Sequence, residues 1–375
     1  MTSKPHIAIV GGGPGGLMLA RLLLLRGFES TVFERDRDGG DRPQGGSLDL
    51  HGDTGQHAMR VAGLENEFNA AARPEDQGDR LYDQNGTLLF DRDGAGDNRP
   101  EIDRTALRRI LLDSLSPAAV RWNSKVETVA PRTDGGYDVV VGGAAERFDV
   151  VVGADGAWSR LRSLLSETIP RYEDVTLVEF GFDAKRHMNV DALVGGGKMF
   201  AVGDNRILIA QRNGNAHIRG YAGLRLPEGI AREWATLAPD RVRAALLETF
   251  AGWASELKYL IERGDFIAVR PLYALPIGYT WESKSGITLL GDAAHLMSPF
   301  GGEGVNLALA DAVDVADALT SSDGWQAVVA CEAAIMKRAR PAAEGASEGL
   351  NGSISPNGVA HVLHHYHERV GGQIS

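Results

Sequence analysis

The chain opens with a short apolar run that leads directly into a group of glycines. Residues 6–10 have the apolar pattern of a buried strand, and residues 17–26 have the pattern of a helix. Between them, Gly11, Gly13 and Gly16 follow the spacing G-x-G-x-x-G. In such a turn the first glycine permits a tight bend, the second lets a pyrophosphate approach the backbone, and the third lets helix and strand pack closely.

A second apolar run ends in a carboxylate. Residues 29–34 have the pattern of a strand, and Glu34 lies 18 residues after Gly16. An acid at this distance from the glycine turn is suited to accept hydrogen bonds from a ribose. Together, the strand, glycine turn, helix, second strand and acid predict a dinucleotide-binding βαβ unit.

Several arginines lie close to this unit in sequence. Arg35 and Arg42 belong to a polar, glycine-rich connection, where they are either solvated or in reach of the phosphates and ribose groups of a dinucleotide. The same alternatives apply to Arg104 and Arg108, which are four residues apart on a helix predicted over 103–112.

Four further elements are predicted before the middle of the chain. Residues 80–90 alternate between apolar and polar on both sides of an Asn-Gly pair, which predicts a hairpin. Residues 120–129 also predict a strand. Residues 148–153 are apolar apart from Asp149 and meet an Asp-Gly pair, which is typical of a central strand in an α/β sheet. A helix is predicted next, over 157–165.

The pattern changes to strict alternation between about residues 175 and 264. We predict antiparallel strands over 199–202, 206–211 and 217–224, followed by helices over 239–251 and 254–262. A sheet with helices, inserted into a nucleotide-binding fold, would form a lid over a ligand. The candidate substrate residues of this sheet are Lys198, Gln211, His217, Arg219 and Tyr221. Their spacing of two residues places most of them on one face of a strand. The alternative for each is a solvated residue at the edge of the sheet.

The stretch from Gly291 to Asn306 combines features that packing alone does not require. It follows a predicted strand over 286–290, begins with Gly291 and Asp292, and continues through a Pro-Phe-Gly-Gly turn into a helix predicted over 302–319. A carboxylate, a rigid turn and a helix N-terminus together predict the place where a large anionic cofactor is held and its reactive ring is presented. His295 in this stretch is interpreted as structural or close to the cofactor rather than as a base.

The C-terminal part has a helical pattern. A long amphipathic helix is predicted over 325–340, with an interruption at Pro341, and it would either bridge two domains or pack a dimer. We expect a monomer. Residues 359–370 carry four histidines, but their spacing spreads the rings around a helix, so no metal site is predicted.

Composition narrows the class of protein. The 375 residues, 43% hydrophobic and 24% charged, suit two domains or one large α/β domain with an insertion. A net charge of −11 argues against a nucleic-acid partner, because no basic excess is present to neutralise phosphates. Cys331 is a single cysteine and suits a reducing compartment. Neither a signal sequence nor an apolar run long enough to span a membrane is apparent, so we expect a cytoplasmic protein without a membrane partner.

Three separated blocks carry a resemblance to a known family. They are the glycine turn with Glu34, Asp155-Gly156 with Ser159 and Arg162, and Gly291-Asp292-Ala-Ala-His. In this order they resemble the class A flavoprotein aromatic hydroxylases, the para-hydroxybenzoate hydroxylase type. Residues 45–51, 100–108 and 291–306 are further similar to the TetX-type tetracycline-inactivating monooxygenases, a likeness that covers about residues 5–320. Ser298 departs from the Pro-Pro pair that is frequent in the family, and we expect it to loosen the turn.

The resemblance implies an α/β fold. It would contain a Rossmann-like FAD-binding domain of the GR2 type, an inserted antiparallel-sheet substrate domain and a long C-terminal helix. The expected boundaries are 1–75, 100–175 and 268–320 for the FAD-binding domain, 76–99 and 176–267 for the substrate domain, and 321–375 for the C-terminal helical region.

The resemblance also implies non-covalent FAD, with Glu34 on the adenosine ribose and Asp292 on the ribityl hydroxyls. No catalytic side chain is implied, because the flavin and O₂ carry the chemistry. Arg42 would contact NADPH or NADH, while Pro299 and Phe300 would join the five sheet residues at the substrate. The implied cofactor-binding residues are Gly11, Gly13, Gly16, Glu34, Arg35, Asp49, Arg104, Arg108, Asp155, Asp292, Gly304, Val305 and Asn306.

The expected function is an FAD-dependent, NAD(P)H-consuming monooxygenase. It would insert one atom of O₂ into a polycyclic phenolic or enol compound, with tetracyclines among the candidates. The alternatives are a hydroxylase of another aromatic polyketide in a secondary-metabolite pathway, a non-oxygenating flavoenzyme of the same fold, and a non-catalytic FAD-fold binding protein. The Trp-x-Trp-x-Ile-Pro motif of tryptophan halogenases is absent, which disfavours a halogenase.

Overall fold

A computed structural model describes the protein at residues 4–41 and 45–371. The strands in this part are β1 (Ile7–Val10), β2 (Ser30–Phe33), β3 (Ser47–Asp49), β4 (Gly78–Asp83), β5 (Leu88–Arg92), β6 (Glu101–Asp103), β7 (Val120–Arg121), β8 (Val126–Pro131), β9 (Tyr137–Val141), β10 (Ala144–Phe148), β11 (Val150–Gly153), β12 (Arg171–Asp183), β13 (Gly197–Gly203), β14 (Arg206–Asn213), β15 (His217–Arg225), β16 (Asp265–Ala274) and β17 (Ile287–Leu289). The helices are α1 (Pro14–Leu25), α2 (Gly55–Val61), α3 (Glu65–Ala71), α4 (Arg104–Asp113), α5 (Met188–Val194), α6 (Glu228–Trp234), α7 (Pro239–Thr249), α8 (Ser255–Arg263), α9 (Asp292–His295), α10 (Gly304–Thr320), α11 (Trp325–Ser353) and α12 (Gly358–Gly371).

The chain divides into two compact units. The first comprises the described residues of Met1–Ala72, Arg104–Arg171 and Ala274–Ala346. The second comprises those of Arg73–Asp103, Tyr172–Tyr273 and Ser347–Ser375. Each unit has its own sheet.

The first unit is built on a five-stranded sheet in the order β17-β11-β1-β2-β7, in which every neighbouring pair is parallel. All four residues of β1 and of β11 are buried, as expected for strands that are covered on both faces. Helices α1 and α10 pack against each other. They approach closely at Gly15, where an added Cβ would lie 3.1 Å from the Ala308 carbonyl oxygen.

Two predictions for the first unit are wrong in detail. Residues 120–129 form two strands, β7 and the start of β8, and these belong to different sheets. The helix predicted over 157–165 is reduced to the 3-10 turn Arg162–Leu164. Asp155 and Ser159 explain this, because their side chains accept the backbone N–H groups of Arg160 (2.7 Å) and Arg162 (3.0 Å) and so compete with helical hydrogen bonds.

The second unit contains a seven-stranded sheet in the order β16-β12-β15-β14-β13-β4-β5. The run β12-β15-β14-β13 is antiparallel, and the hairpin β4-β5 is the one predicted around the Asn-Gly pair. Strand β4 pairs with β13 in parallel, which the alternating pattern did not reveal. The predicted fold class, an α/β protein with a largely antiparallel inserted sheet, is confirmed.

One face of this second sheet is apolar. Met199, Ala210 and Ile218 are fully buried there and belong to a core that includes Leu246 and Leu257 from α7 and α8. The helices cover this face because strand residues alternate between the two sides of a sheet. The neighbouring positions on the same strands therefore point to the opposite face, which carries the candidate substrate residues.

The C-terminal helix differs from its prediction. Helix α11 continues through Pro341 to Ser353, whereas an interruption was expected at the proline. A proline removes one hydrogen bond from a helix, and 29 residues supply enough others for the helix to continue. Among the described residues, no helix is both long and apolar enough to cross a membrane.

Candidate cofactor and substrate sites

The predicted cofactor motifs follow the ends of four adjacent parallel strands. Val10 pairs with Gly153 and with Phe33, and Gly153 pairs with Leu289. The residues just beyond these ends are Gly11 after β1, Glu34 after β2, Asp155 after β11 and Gly291-Asp292 after β17. Ligands of parallel α/β sheets bind outside the carboxyl ends of the strands. Motifs spread over some 280 residues of sequence are therefore brought to one edge of the sheet.

The three glycines of the first turn do different work. Gly11 has φ +114°, and a Cβ there would lie 2.2 Å from the Ala154 carbonyl oxygen. At Gly16 a Cβ would lie 2.1 Å from the Gly11 carbonyl oxygen, so both positions are required by the protein's own packing. Gly13 is different, because its φ of −77° suits any residue and no described atom lies within 4 Å of an added Cβ. It leaves open space before α1, whose first N–H groups carry no side-chain cap and so suit an anion.

Glu34 lies in a buried network beneath this turn. Its carboxylate accepts the N–H groups of Gly12 (2.7 Å) and Asp36 (3.0 Å). Arg108, which is 2% exposed, donates to the Gly12 carbonyl and to the Asp36 carboxylate, both at 3.1 Å. Arg108 is thus not a solvated helix residue, and its guanidinium braces the turn. Asp36 was missed by the sequence analysis, since its partner lies 72 residues away.

The second motif is tied to the third by an arginine. One oxygen of Asp155, Oδ1, is buried and has no hydrogen-bond partner among the described residues, so it can take a ligand donor. Arg162 is 3% exposed and donates to the carbonyl oxygens of Asp292 and Ala293, both at 3.2 Å. Burial lowers the pKa of Arg162, but a guanidinium stays charged at neutral pH. Arg162 therefore holds the backbone of the Asp292 turn.

Asp292 presents an exposed carboxylate at the start of α9. Its carboxylate makes no hydrogen bond within the part of the chain that the structure describes. A Cβ at Gly304 would lie 3.9 Å from Asp292 Oδ1, so the carboxylate lies beside the beginning of α10. The first turn of α10, which includes Val305, has no side-chain cap and leaves backbone N–H groups available.

Asn306 has a different role from the neighbouring backbone. Its side chain is fully buried, accepts the His51 N–H (2.9 Å) and donates to the carbonyl oxygens of Asp49 (2.9 Å) and Gly302 (3.2 Å). It therefore ties the end of β3 to α10. The Asp49 carboxylate lies 3.3 Å from His51 Nε2.

The remaining candidates for binding the cofactor or the pyridine nucleotide are Arg35, Arg104 and Arg42. Arg35 is exposed, and Arg104 is the first residue of α4. An added Cβ at Gly45 would lie 3.6 Å from Arg104 Nε. Arg42, expected to contact the pyridine nucleotide, lies outside the described residues, so its role stays a prediction.

Ser298, which stands where the family frequently has proline, caps the turn that follows it. Ser298 is 4% exposed, and its hydroxyl accepts the Phe300 N–H at 3.4 Å, which caps the 3-10 turn Pro299–Gly301. A proline at 298 would lack this cap. Pro299 is exposed and Phe300 is half-buried, both in the first unit.

The other five candidate substrate residues lie in the second unit. Lys198, Gln211 and Arg219 are directly opposite one another across β13, β14 and β15, so they face the same side of the sheet. His217 and Tyr221 lie two positions on either side of Arg219 in β15 and share that side. The predicted common face is therefore present, and it includes Gln211 from the neighbouring strand.

Three donors in this row, Lys198, Gln211 and Arg219, are each paired with a buried acid that the sequence analysis missed. The acids lie on β4, β6 and β12. Strand pairing within the seven-stranded sheet brings Asp79 on β4 and Glu179 on β12 to the row, whereas Glu101 lies on β6 outside that sheet, and local spacing reveals none of the three. The pairs are Lys198 Nζ with Asp79 Oδ1 (3.8 Å), Gln211 Nε2 with Glu101 Oε2 (3.0 Å) and Arg219 Nη1 with Glu179 Oε1 (2.9 Å). The three acids are at most 2% exposed.

Two neighbours complete the electrostatics of this face. Arg270 Nε donates to the second oxygen of Glu179 at 3.0 Å, so one buried carboxylate holds two guanidinium groups. Burial and the nearby charge of Arg219 lower the pKa of His217, so this imidazole is neutral at pH 7. The face is therefore rich in fixed hydrogen-bond donors, and its charges are balanced by acids beneath them.

The family model described as an FAD binding domain matches residues 4–343. The chain belongs to this family, the class A flavin hydroxylases. It is 34% identical to "Monooxygenase penA" of Penicillium thymicola, over 85% of each chain. The family's fold is also shared with Klebsiella pneumoniae HpxO in complex with FAD and uric acid (TM-score 0.81, 21% identity, 97% of this chain and 92% of that one). The same holds for the tetracycline destructase Tet(51), with a TM-score of 0.70, 20% identity and coverage of 96% and 98%.

The residues at the sheet edge fit an FAD molecule. A pyrophosphate would fit the open space at Gly13 and the uncapped N–H groups at the start of α1. A chain of hydroxyls would fit the carboxylate oxygens of Asp155 and Asp292 that accept no hydrogen bond from the described residues. The predicted family is confirmed, and an FAD-binding domain with it. The assignment of individual residues to the cofactor remains a set of predictions.

Proposed function

We propose that this protein is an FAD-dependent monooxygenase that uses NADPH or NADH to insert one atom of O₂ into a polycyclic phenolic or enol compound. The observation that carries this proposal is the convergence of Gly11–Gly16, Glu34, Asp155 and Asp292 at one edge of the parallel sheet. Similarity to a monooxygenase at 34% identity supports it. The balanced reaction is substrate–H + O₂ + NAD(P)H + H⁺ → substrate–OH + H₂O + NAD(P)⁺.

The chain's own residues would bind and orient the cofactor. Bound FAD supplies the redox chemistry between the pyridine nucleotide and O₂. The α1 N-terminus and Gly13 would hold the pyrophosphate, and Asp292 would hold the ribityl hydroxyls. The N-terminus of α10 at Gly304 would stabilise negative charge on the reduced ring, because N–H groups point outward from a helix start.

The donor-rich face of the second unit suggests the substrate class. Lys198, Gln211 and Arg219 offer hydrogen-bond donors to carbonyl, enolate or phenolate oxygens, while neutral His217 adds no charge. Tetracyclines have such oxygens, and the fold shared with Tet(51) supports them as candidates for antibiotic inactivation. Other aromatic polyketides have the same chemistry, so the two candidates must be compared directly.

The test begins with the purified protein. It should be yellow with bound FAD, and anaerobic NADPH or NADH should bleach it. Aerobic reactions under ¹⁸O₂ with chlortetracycline, other polyketides and a phenol panel should yield a product that is heavier by one ¹⁸O atom. A colourless protein that neither takes up FAD nor consumes NAD(P)H would exclude a flavoenzyme. Hydrogen peroxide as the sole oxygen product with every compound would count against these substrate classes.

Asp292→Ala tests the cofactor assignment itself. Loss of an ionised hydrogen-bond acceptor at the ribityl chain should weaken FAD binding by roughly 10- to 100-fold or more. The measurement is the flavin content after desalting and the dissociation constant by fluorescence titration. Asp323→Ala is the matched control, since Asp323 is an exposed acid of the same unit beyond α10. Undiminished flavin content in Asp292→Ala would refute the assigned role.

A further inference from the structure

Three charged side chains meet behind the Asp292 turn, and the proposed function does not use them. His295 ends α9, Asp311 lies inside α10 and Arg338 belongs to α11. His295 Nε2 lies 2.6 Å from Asp311 Oδ2, and Arg338 Nη2 donates to Asp311 Oδ1 at 2.7 Å. Asp311 is 0% exposed and His295 is 8% exposed. The group is a cation–anion–cation cluster within the first unit, in which Asp311 and His295 are buried and Arg338 is partly exposed.

The Asp311 carboxylate makes a further bond that links it to the cofactor turn. Its Oδ2 accepts the backbone N–H of Gly291 at 3.0 Å. Gly291 has φ +59°, a region that favours glycine, and it immediately precedes Asp292. An unusual backbone conformation persists when its surroundings hold it in place. Here the hydrogen bond from the Gly291 N–H to Asp311 fixes the Leu290–Gly291 peptide, which lies one residue before Asp292.

The charges in the cluster are mutually dependent. Burial alone would raise the pKa of Asp311, but His295, the Gly291 N–H and Arg338 lower it below its ordinary value. Burial alone would lower the pKa of His295, but Asp311 outweighs burial and raises it. Asp311 therefore favours the imidazolium form of His295, and His295 favours the carboxylate form of Asp311. Arg338 also pairs with Asp314 at 2.7 Å, so it cannot by itself neutralise Asp311.

We propose that Asp311, held between His295 and Arg338, is a positioning residue that aims the Asp292 carboxylate at FAD, and that loss of the His295 proton weakens FAD binding. The inference rests on the proposed function, since it takes Asp292 as a cofactor ligand. His295 thereby gains a defined role in a motif where the sequence indicated only a residue that is structural or close to the cofactor. It acts through Asp311 and Gly291, without contact to the reacting atoms.

The expected pH dependence follows from the groups that face His295. Asp292 on α9 and Asp311 on α10 act on His295 directly, and Tyr279 and Arg340 line a cavity together with it. Asp314 on α10 and Arg338 and Cys331 on α11 lie around Asp311. Burial raises the pKa of Tyr279 above its ordinary value of about 10. Burial raises the pKa of the Cys331 thiol to about 12, and Arg338 stays charged, so neither titrates between neutral pH and pH ~10. The His295 contribution is fully present below its ordinary value of about 6.5 and is lost as pH rises through the raised value. FAD binding should therefore weaken on the alkaline side.

The experiment measures the FAD dissociation constant of the apoprotein by fluorescence titration from pH ~6.5 to ~9.5. Wild type should lose about tenfold in affinity across this range, the size expected of one hydrogen bond to a charged group. His295→Gln, which keeps an N–H donor for Asp311 but carries no charge, should bind about tenfold more weakly than wild type at pH ~6.5 and show no such slope, so that it matches wild type at the alkaline end. Asp311→Asn, which keeps an acceptor for Gly291 but loses the charge, should bind about tenfold more weakly at every pH.

Two measurements separate positioning from simple folding. Thermal unfolding of each apoprotein reports stability, and the visible absorbance of bound flavin reports its surroundings. His364→Gln is the matched control, since His364 is an exposed histidine on α12, and its slope should equal that of wild type. If Asp311→Asn fails to fold, the His295→Gln profile decides the proposal alone.

The outcomes are distinguishable. A folded His295→Gln that keeps the wild-type slope overturns the inference, as does a folded Asp311→Asn with wild-type affinity at all pH values. In either case the proposed function still stands if Asp292→Ala loses FAD. Wild-type protein that binds no FAD overturns the proposed function and this inference together.

Discussion

The two units differ in whether the polar groups of their candidate ligand-binding residues are already paired within the protein. In the first, the predicted cofactor residues keep groups available: open space at Gly13, a lone carboxylate on Asp292 and a lone buried oxygen on Asp155. In the second, the donors of the candidate substrate face are already held by buried acids, as Arg219 is by Glu179. The first unit thus leaves polar groups available to a ligand, whereas the second unit orients its hydrogen-bond donors by ion pairs and hydrogen bonds within the protein.

This difference predicts which substitutions should reduce ligand affinity and which should reduce the free energy of unfolding. An available group contributes little to folding, so its loss should reduce ligand affinity and leave the unfolding free energy unchanged. A buried charged pair costs several kcal/mol when one partner is removed, because the other charge is left uncompensated. The same pairing orients each donor before a ligand arrives, which reduces the ordering cost of binding.

The largest effect should come from Glu179→Ala in the second unit. Glu179 is 2% exposed and is bonded to both Arg219 and Arg270, so its removal leaves two guanidinium groups without their counter-charge. We expect a loss of about 3–5 kcal/mol in the free energy of unfolding, measured by urea denaturation of the apoprotein. The control is Glu146→Ala, which removes an exposed ion pair with Arg121 and should cost no more than about 1 kcal/mol. Equal losses in the two variants would contradict the contrast between buried and exposed pairs.

The next effect tests the open space in the first unit. Gly13→Ala should fold normally, because φ is −77° and no described atom lies within 4 Å of the new Cβ. It should nevertheless weaken FAD binding by about 10- to 100-fold, since the Cβ would occupy the space through which a pyrophosphate approaches the backbone. Fluorescence titration and thermal unfolding of the same preparation measure the two quantities.

Gly11→Ala is the counterpart within the same turn. Its Cβ would lie 2.2 Å from the Ala154 carbonyl oxygen at a φ of +114°, so stability should fall along with FAD binding. The pair distinguishes a glycine that the protein needs from a glycine that the ligand needs. Wild-type FAD affinity in Gly13→Ala would remove the evidence that Gly13 faces the cofactor.

Local features of both units could be predicted from the sequence. The glycine turn, the acid at Glu34 and the Gly291-Asp292 turn each depend on neighbouring residues and on strand ends, so a motif is enough to find them. Helices predicted over 239–251 and 254–262 are observed as α7 and α8 with ends within two residues. The common face of the candidate substrate row also followed from strand alternation alone.

Interactions between distant elements could not be predicted. Asp311 and Glu179 have no local motif, because their partners lie 16 to 91 residues away and are brought together by helix packing or strand register. The helix expected over 157–165 failed because two side chains capture its N–H groups, a competition that helical periodicity does not reveal. Pro341 was overvalued as a helix breaker, since a single proline removes one hydrogen bond from a long helix.

The smallest effect should come from Lys198→Met. Lys198 is intermediate between an available group, such as the Asp292 carboxylate, and a fully paired one, such as Arg219. Lys198 Nζ is 3.8 Å from Asp79, but Asp79 also pairs with Arg369, so the acid keeps a counter-charge and stability should change by less than about 1 kcal/mol. If the substrate carries an enolate or phenolate oxygen, KM should rise about threefold to tenfold with a smaller change in kcat. Lys185→Met, at an exposed site of the same unit, should change neither. An unchanged KM with every coupled substrate would mean that this ammonium group serves the sheet and not the ligand.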